Sequence, residues 1–280
     1  MSRDAVGWSQ EVWDRIDKAV GDESKRSSLA ASFLPLVGPL PGALTVPADV
    51  IAGNPLAIAE DGVRPLVELS VEFTLTPTQV SNEANLLTAT SLATRAANYL
   101  AQAEDILIFQ GAPGQSAPIF KIVKRRQSPG PGLLDSADEE ITVRPVEPGG
   151  KHYGEHLFAA VAKGCAHLQA KGQFGPYALA LHDEIYADSF APLAGTLVTP
   201  ADRIKPLVVQ GFAGTGALPA QTGVLLSVGG NTVDLAIASD AAVDFSQVDG
   251  DGLSRFRVAE RFTLRVKEKA SVIRLRFASK

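Results

Sequence analysis

The stretch Pro65-Leu-Val-Glu-Leu-Ser-Val-Glu-Phe-Thr-Leu75 decides how the rest of the chain is read. Val67, Leu69, Val71, Phe73 and Leu75 fall on one face. Glu68, Ser70, Glu72 and Thr74 fall on the other. Strict period-two alternation over this length predicts a long, half-buried antiparallel strand. Upstream, residues 46–64 lack a sustained apolar pattern and contain Gly53-Asn-Pro55, which predicts an extended hairpin-like arm standing away from the body. Downstream, Leu86, Ala89, Ala93, Ala96, Leu100, Ala103 and Leu107 recur at helical spacing up to Gly111, predicting one helix over residues 81–110. About thirty residues at about 1.5 Å each span roughly 40 Å, long for a globular domain.

Outward from this centre, Val12, Ile16 and Ala19 predict a short amphipathic helix over 9–20, with Ser9 as its N-cap and Gly21 just past its end. Gly38-Pro-Leu-Pro-Gly42 then forces a turn. Residues 112–131 are rich in Pro and Gly, with a strand expected over 119–123, and the basic run Lys124-Arg125-Arg126 reads as a solvated loop. Further helices are expected over 153–171 and 183–190, with a strand over 178–181 between them. Gly229-Gly-Asn231 separates two apolar runs, 224–228 and 232–238, and reads as a hairpin turn. Near the end, Phe256, Val258, Phe262, Leu264 and Val266 alternate with Arg255, Arg257, Arg261 and Arg265, and Ile273, Leu275 and Phe277 with Arg274 and Arg276. These arginine faces suit ion pairing between subunits. The sum is an α+β chain without internal repeats.

With 280 residues, 45% hydrophobic and 20% charged, the chain can bury a substantial core. Its net charge of -5, from 26 basic and 31 acidic residues, argues against a nucleic-acid-binding face. The single cysteine, Cys165, permits no internal disulfide and fits a reducing compartment. No signal-like leader or membrane-length apolar run is present, so the expectation is a soluble cytoplasmic protein.

A search for chemistry returns little. His152-Tyr-Gly-Glu155-His156 matches the H-x-x-E-H pattern, in which two histidines hold zinc and a glutamate polarises water. Gly154 weakens a helix there, and no third ligand is evident, so helix-start residues without chemistry are the plainer reading. Cys165 and His167 are two apart on a helix and do not face each other. Glu104-Asp105 reads as local ion pairing or a turn contact. Glu260 lies on the apolar face of its strand and needs a partner, expected to be an arginine. No catalytic residue, metal site or cofactor is expected. A chain of this size with an exposed arm and one over-long helix points to assembly.

Several segments in order resemble the family 1, linocin-like encapsulins. Pro65 to Leu75 is similar to that family's "PLIELRxxFTL" strand, and Ala103-Glu-Asp-Ile-Leu-Ile-Phe-Gln-Gly111 to "xEDxxIFxG". Gly175-Pro-Tyr177 resembles "GPYxLxL", Gly38-Pro39 the turn after the first helix, Trp13-x-x-Ile-Asp17 "WxxID", and Glu260-Arg-Phe-Thr-Leu264 "ExFTF". The resemblance implies the tailed-phage major capsid fold, with a peripheral P-domain holding the spine helix, an extended E-loop and an axial A-domain. It places the N-terminal helix and part of the P-domain in 1–45, the E-loop arm in 46–75, and the spine helix and following loop in 76–134. The A-domain falls in 135–220 and the P-domain's last strands in 221–280.

Implied with it is an icosahedral shell of identical subunits, T=1 favoured, in the cytoplasm, enclosing a peroxidase or a ferritin-like iron protein through that cargo's C-terminal targeting peptide. A prophage major capsid protein and a bacteriocin-like zinc protease using His152 and His156 are the alternatives. The loop carrying Pro192, Leu193, Ala194, Gly195, Thr196 and Leu197 would line the five-fold pore and, having no charge, would select by size. Trp13, Ile16, Phe33 and Phe245 would form the cargo-docking wall. There the family's "GRKFxD" is replaced by Ala31-Ser-Phe-Leu-Pro35, without its Arg and Asp. Thr76-Pro-Thr-Gln79 lacks the tryptophan used by flavin-binding members, so no flavin is expected.

Overall fold

The computed structural model describes residues 3–278 apart from 54, 193, 194 and 196. Helix α1, Gln10–Ser27, buries Trp13, Ile16 and Val20. It runs past Gly21, where the sequence predicts its end, and there Glu23 is held by two residues of the same helix and by Asn98 from a distant one. That buried carboxylate accepts from Arg26 at 2.5 Å, from the Ser27 hydroxyl at 2.8 Å and from Asn98 at 2.9 Å. Ser9 occupies the N-cap but its hydroxyl makes no capping bond. A short helix α2, Ala30–Phe33, and strand β1, Leu36–Val37, lead into the turn at 38–42.

Strands β2, Thr45–Gly53, and β3, Leu56–Pro65, pair antiparallel as the expected hairpin. It does not stand wholly away from the body: near its tip the Ile51 amide, opposite Ile58, donates to the Lys267 carbonyl at 2.9 Å, and near its base Arg64 donates to the Leu264 carbonyl. All the described side chains of residues 56–63 are exposed. Strand β4, Val67–Leu75, follows. Its first five residues are buried on both faces, so it is a central strand there rather than a half-buried one.

The expected helix over 81–110 is three helices: α3, Pro77–Ser81, α4, Glu83–Leu86, and α5, Thr88–Gln110. Leu87 adopts a left-handed conformation, φ 53°, and breaks the run. The buried Glu83 carboxylate then caps α5, accepting from the Ala89 and Thr90 amides at 2.6 and 3.0 Å. A side chain from the previous turn thus satisfies donors that a continuous helix would have satisfied itself. Gly111, at φ 60°, terminates α5 as expected. Residues 118–121 form a 3-10 turn, not a strand; the strand is β5, Lys124–Arg126, the basic run read as a loop. It pairs with β4, placing Arg126 opposite Glu68.

The remaining elements are α6, Leu133–Ser136, β6, Glu139–Val143, α7, Gly154–Ala170, β7, Tyr177–His182, α8, Asp183–Asp188, α9, Pro200–Ile204, β8, Gly211–Thr215, β9, Thr222–Ser227, β10, Val233–Val248, β11, Ser254–Val266, and β12, Val272–Phe277. Two five-stranded sheets result, in orders β1-β10-β11-β4-β5 and β6-β12-β9-β7-β8. The runs around Gly229-Gly-Asn231 are therefore not a hairpin. They are β9 and β10, each paired within its own sheet, and the turn carries the chain from one sheet to the other. Residues 221–280 accordingly divide between the sheets instead of forming one set of P-domain strands.

One core packs α1 and α5 on the first sheet, and a second packs α7, α8 and α9 on the other sheet. The alternation in β7 explains how the second sheet serves both. Ala178 and Ala180 face the core shared with α5, while Leu179 and Leu181 face α7. The small residues admit the alanine-rich helix; the large ones fill the wider gap. On α7, Gly164 meets Leu225, and a Cβ there would lie 2.6 Å from its Cδ2.

Candidate functional site

The arginines of β11 find partners inside the subunit. Glu68, buried, accepts from Arg261 at 2.5 and 2.8 Å and from Arg257, with Arg126 at 3.7 Å. Burial pushes the Glu68 carboxyl up, but the bonds from Arg261 and Arg257 outweigh it and hold the group below the usual range. Arg265 forms two bonds to buried Asp234, which Lys267 also reaches at 2.8 Å. Arg274 and Arg276 face Glu140 at 3.4 and 3.7 Å. The expectation that these faces pair between subunits is corrected: register within the sheets already supplies the acids.

Strand parity leaves Glu260 on the opposite face from those arginines. The expected arginine partner is not there, and Glu260 Oε1 is buried without a hydrogen-bond partner. Instead Glu260 faces other acids. Burial, and then the charges of Glu104, Asp105 and Asp240, push its carboxyl well above the usual range. Glu104 is pushed up to about 8 by burial and by Asp105, against a hydrogen bond with Ser28. Asp105, by contrast, accepts from the Leu29 and Ala30 amides at 3.0 and 2.8 Å and so fixes the link between α1 and α2. Its carboxyl is nevertheless pushed up to about 6, because burial outweighs those two bonds. The adjacent pair Glu104-Asp105 is thus a buried tertiary anchor, not a local ion pair.

Glu104 and Glu260 line a cavity of about 330 Å³ between α1, β10 and β11, together with Ser24, Lys25, Asp240 and Phe262. A second cavity, about 580 Å³, shares Lys25 and Ser28 with the first and reaches Gly214 and Thr215 of the edge strand β8. The four expected docking residues, Trp13, Ile16, Phe33 and Phe245, are all 0–3% exposed. Trp13 and Phe245 join Trp8, Phe73 and Phe256 in an aromatic cluster, and Phe33 packs on Phe109. All four are packed in the core, and none of them lines the cavity of about 330 Å³. Parity and burial of Glu260 are readable in sequence; the convergence of Glu104 from another element is not.

Pro192, Gly195 and Leu197 belong to a loop tied at its neck by the Ala201 amide donating to the Ser189 carbonyl at 2.9 Å. Leu197 is 93% exposed. Leu193, Ala194 and Thr196 lie outside the described residues. The H-x-x-E-H residues go to separate partners: His152 to Asp188 at 2.5 Å, Glu155 to Arg203, and His156 to the Arg144 carbonyl at 3.0 Å. Helix α7 begins only at Gly154, so the two histidines do not share a helical face. No group of three or more His, Cys, Asp or Glu among the described residues is arranged to hold a metal. Cys165 is buried, its thiol pushed up to about 11. No helix among the described residues is long and apolar enough to cross a membrane.

Comparison with known proteins places these features in context. The family Linocin_M18, described as encapsulating protein for peroxidase, matches residues 1–263. The type 1 encapsulin shell protein EncA of Myxococcus xanthus is 27% identical, over 95% of this chain and 92% of its own. A virus-like particle from Pyrococcus furiosus superposes with a TM-score of 0.68 at 14% identity, covering 95% of this chain and 99% of its own. The capsid of Myoviridae phage XM1 gives 0.60 at 12% identity, covering 90% and 92%. The fold is that of tailed-phage capsid proteins.

Proposed function

The chain belongs to the Linocin_M18 family of encapsulating proteins, the encapsulins, and from that membership we propose that its copies close into an icosahedral T=1 shell in the cytoplasm around a cargo enzyme. The observation that carries this is the hairpin β2–β3. Its backbone is hydrogen-bonded to the body at Ile51 and its base through Arg64, yet Leu56, Ile58 and Val63 remain 82%, 65% and 69% exposed. A hairpin with three large apolar side chains in water suits a contact that a neighbouring copy completes. Its two-stranded sheet also keeps outer edges that no described strand of the same chain covers.

The role is structural and not catalytic, in keeping with a buried Cys165 and with histidines engaged by other groups. The loop around Leu197 lines the pore at the five-fold axis and sieves by size; a Leu197→Asp shell with altered ion selectivity supports that placement, and unchanged flux opposes it. Cargo, a peroxidase or a ferritin-like iron protein, docks by its C-terminal peptide over the layer built on Trp13, Ile16, Phe33 and Phe245, at the cavity beside α1. A fluorescent protein fused to the last residues of the protein encoded beside this gene tests the docking. Co-sedimentation with the shell, lost on deleting those residues, is expected; a fusion that stays in the supernatant contradicts it. A portal and maturation protease encoded nearby would instead favour a prophage capsid.

A further inference from the structure

The second sheet has two unlike flanks, β6 at one edge and β8 at the other. Beside β6 a groove of about 340 Å³ runs against α7, with Ile141, Val143 and Ala159 as apolar wall and with Arg144, His156 and Lys163, all exposed, around it. No acid lines this groove. Every other arginine of the chain meets an acid, a carbonyl or amide oxygen, or an aromatic ring. The Arg144 guanidinium meets none of these among the described residues, and Lys163 has no acid partner there either. We propose that this basic flank docks on the β8–α8 flank of a second copy of the chain, where Asp183 and Glu184 receive Arg144 and Lys163. The proposal deepens the shell reading and rests on it.

Charge complementarity selects the occupant. Asp183 and Glu184 open α8, are exposed, and meet no cation among the described residues. On the same helix Tyr186 packs on Phe190, which keeps 41% of its surface in water, so this flank also joins charge to apolar area. Other acids around the second sheet are taken: Glu155 by Arg203, Glu140 by Arg274 and Arg276, and Asp188 by His152. Because β6 and β8 are opposite edges of one sheet, the two flanks cannot meet within a chain. They meet between copies, head to tail, and such a contact repeated about an axis closes a ring. It also covers outer strand edges that no described strand of the same chain pairs. Position agrees with this. Helix α8 ends at Asp188, directly before the loop whose neck is the Ala201–Ser189 bond, so the acidic flank borders the loop proposed for the five-fold pore.

The test reverses and then exchanges the charges in the full-length protein. Arg144→Glu with Lys163→Glu sets acid against acid; Asp183→Lys with Glu184→Lys sets base against base. Each double variant should raise the protein concentration at half assembly about tenfold or more in sedimentation velocity, because like charges across a contact repel. All four substitutions together exchange the two signs and should restore wild-type assembly. The four positions are exposed, so circular dichroism should show the native fold in each variant. Contact itself is read with Lys163→Cys and Glu184→Cys in one chain. A short bismaleimide should give a ladder of linked chains on a denaturing gel that ends at the closed ring, while wild type, whose Cys165 is buried, gives none. Reversed doubles that assemble like wild type, a folded quadruple variant no better than either double, or no ladder overturns the proposal. Hollow wild-type particles beside any of those results leave the shell standing with other contacts at the axis, whereas wild type that stays a single chain ends both readings.

Discussion

Replacing Leu56, Ile58 and Val63 together with serine removes the apolar face of the hairpin without touching either core. The three side chains keep 82%, 65% and 69% of their surface exposed in the single chain. Fully burying one such side chain stabilises by about 1.5–3 kcal/mol. Scaled by these exposures, a neighbour that covers all three gains roughly 3–6 kcal/mol per hairpin. At about 1.4 kcal/mol per decade, the triple variant loses about two to four orders of magnitude in the association constant of each contact. Closed particles repeat that contact around the whole shell, so assembly should fail at micromolar protein. Sedimentation velocity reads the particle fraction, and circular dichroism checks that the subunit stays folded, since exposed substitutions cost within about 0.5 kcal/mol. A folded triple variant that assembles like wild type refutes the reasoning that the hairpin is an intersubunit element.

The same variant, as a folded single subunit, is a convenient host for stability measurements. Phe256→Ala opens a hole among rings at 5.1, 5.3, 5.6 and 6.3 Å from Phe256 and should cost about 3–5 kcal/mol in urea unfolding; a loss below about 1 kcal/mol contradicts the packing. Glu68→Gln should cost about 2–3 kcal/mol, less than a fully buried pair, because Arg257 and Arg261 keep 25% and 35% of their side-chain surface and regain water; a neutral result denies the network its role. Glu104 and Glu260 titrate above their unfolded values, so the folded chain holds protons that the unfolded chain has released. Stability therefore falls as pH rises from about 4.5 through about 8, by up to about 1.4 kcal/mol per pH unit for each proton. Glu260→Gln should flatten that slope, and urea midpoints over this range that are identical in the two proteins oppose it.

The features legible in the sequence are those set by local periodicity. Alternation in 67–75 and 255–266 locates β4 and β11, and Gly111 marks the end of α5, whereas the pairing and register of the two strands come only from the structure. The resemblance to encapsulins placed the hairpin and the fold as a whole. What was not legible depends on partners distant in sequence. Helix α1 passes Gly21, and there Asn98, on another helix, meets Glu23. The Lys124–Arg126 run is a strand because Glu68 and Glu72 wait on β4; alone, three basic residues carry no such signal. The turn at 229–231 looks like a hairpin because local turn chemistry is the same whether the chain returns to its own sheet or leaves for another. At the cavity, Glu260's face could be read from parity, but the acids it meets come from α5 and β10. An arginine was the reasonable expectation from one strand, and the strand's own arginines were already taken on its other face.

The central claim is that the single chain is incomplete and that identical neighbours complete it. Purified full-length protein examined by sedimentation velocity, with negative-stain images of the same fractions, tests this most directly. The account predicts closed hollow particles of one diameter, sedimenting far ahead of a 29.4 kDa chain. A single slow boundary at the mass of one chain, with no particles on the grid, would contradict it.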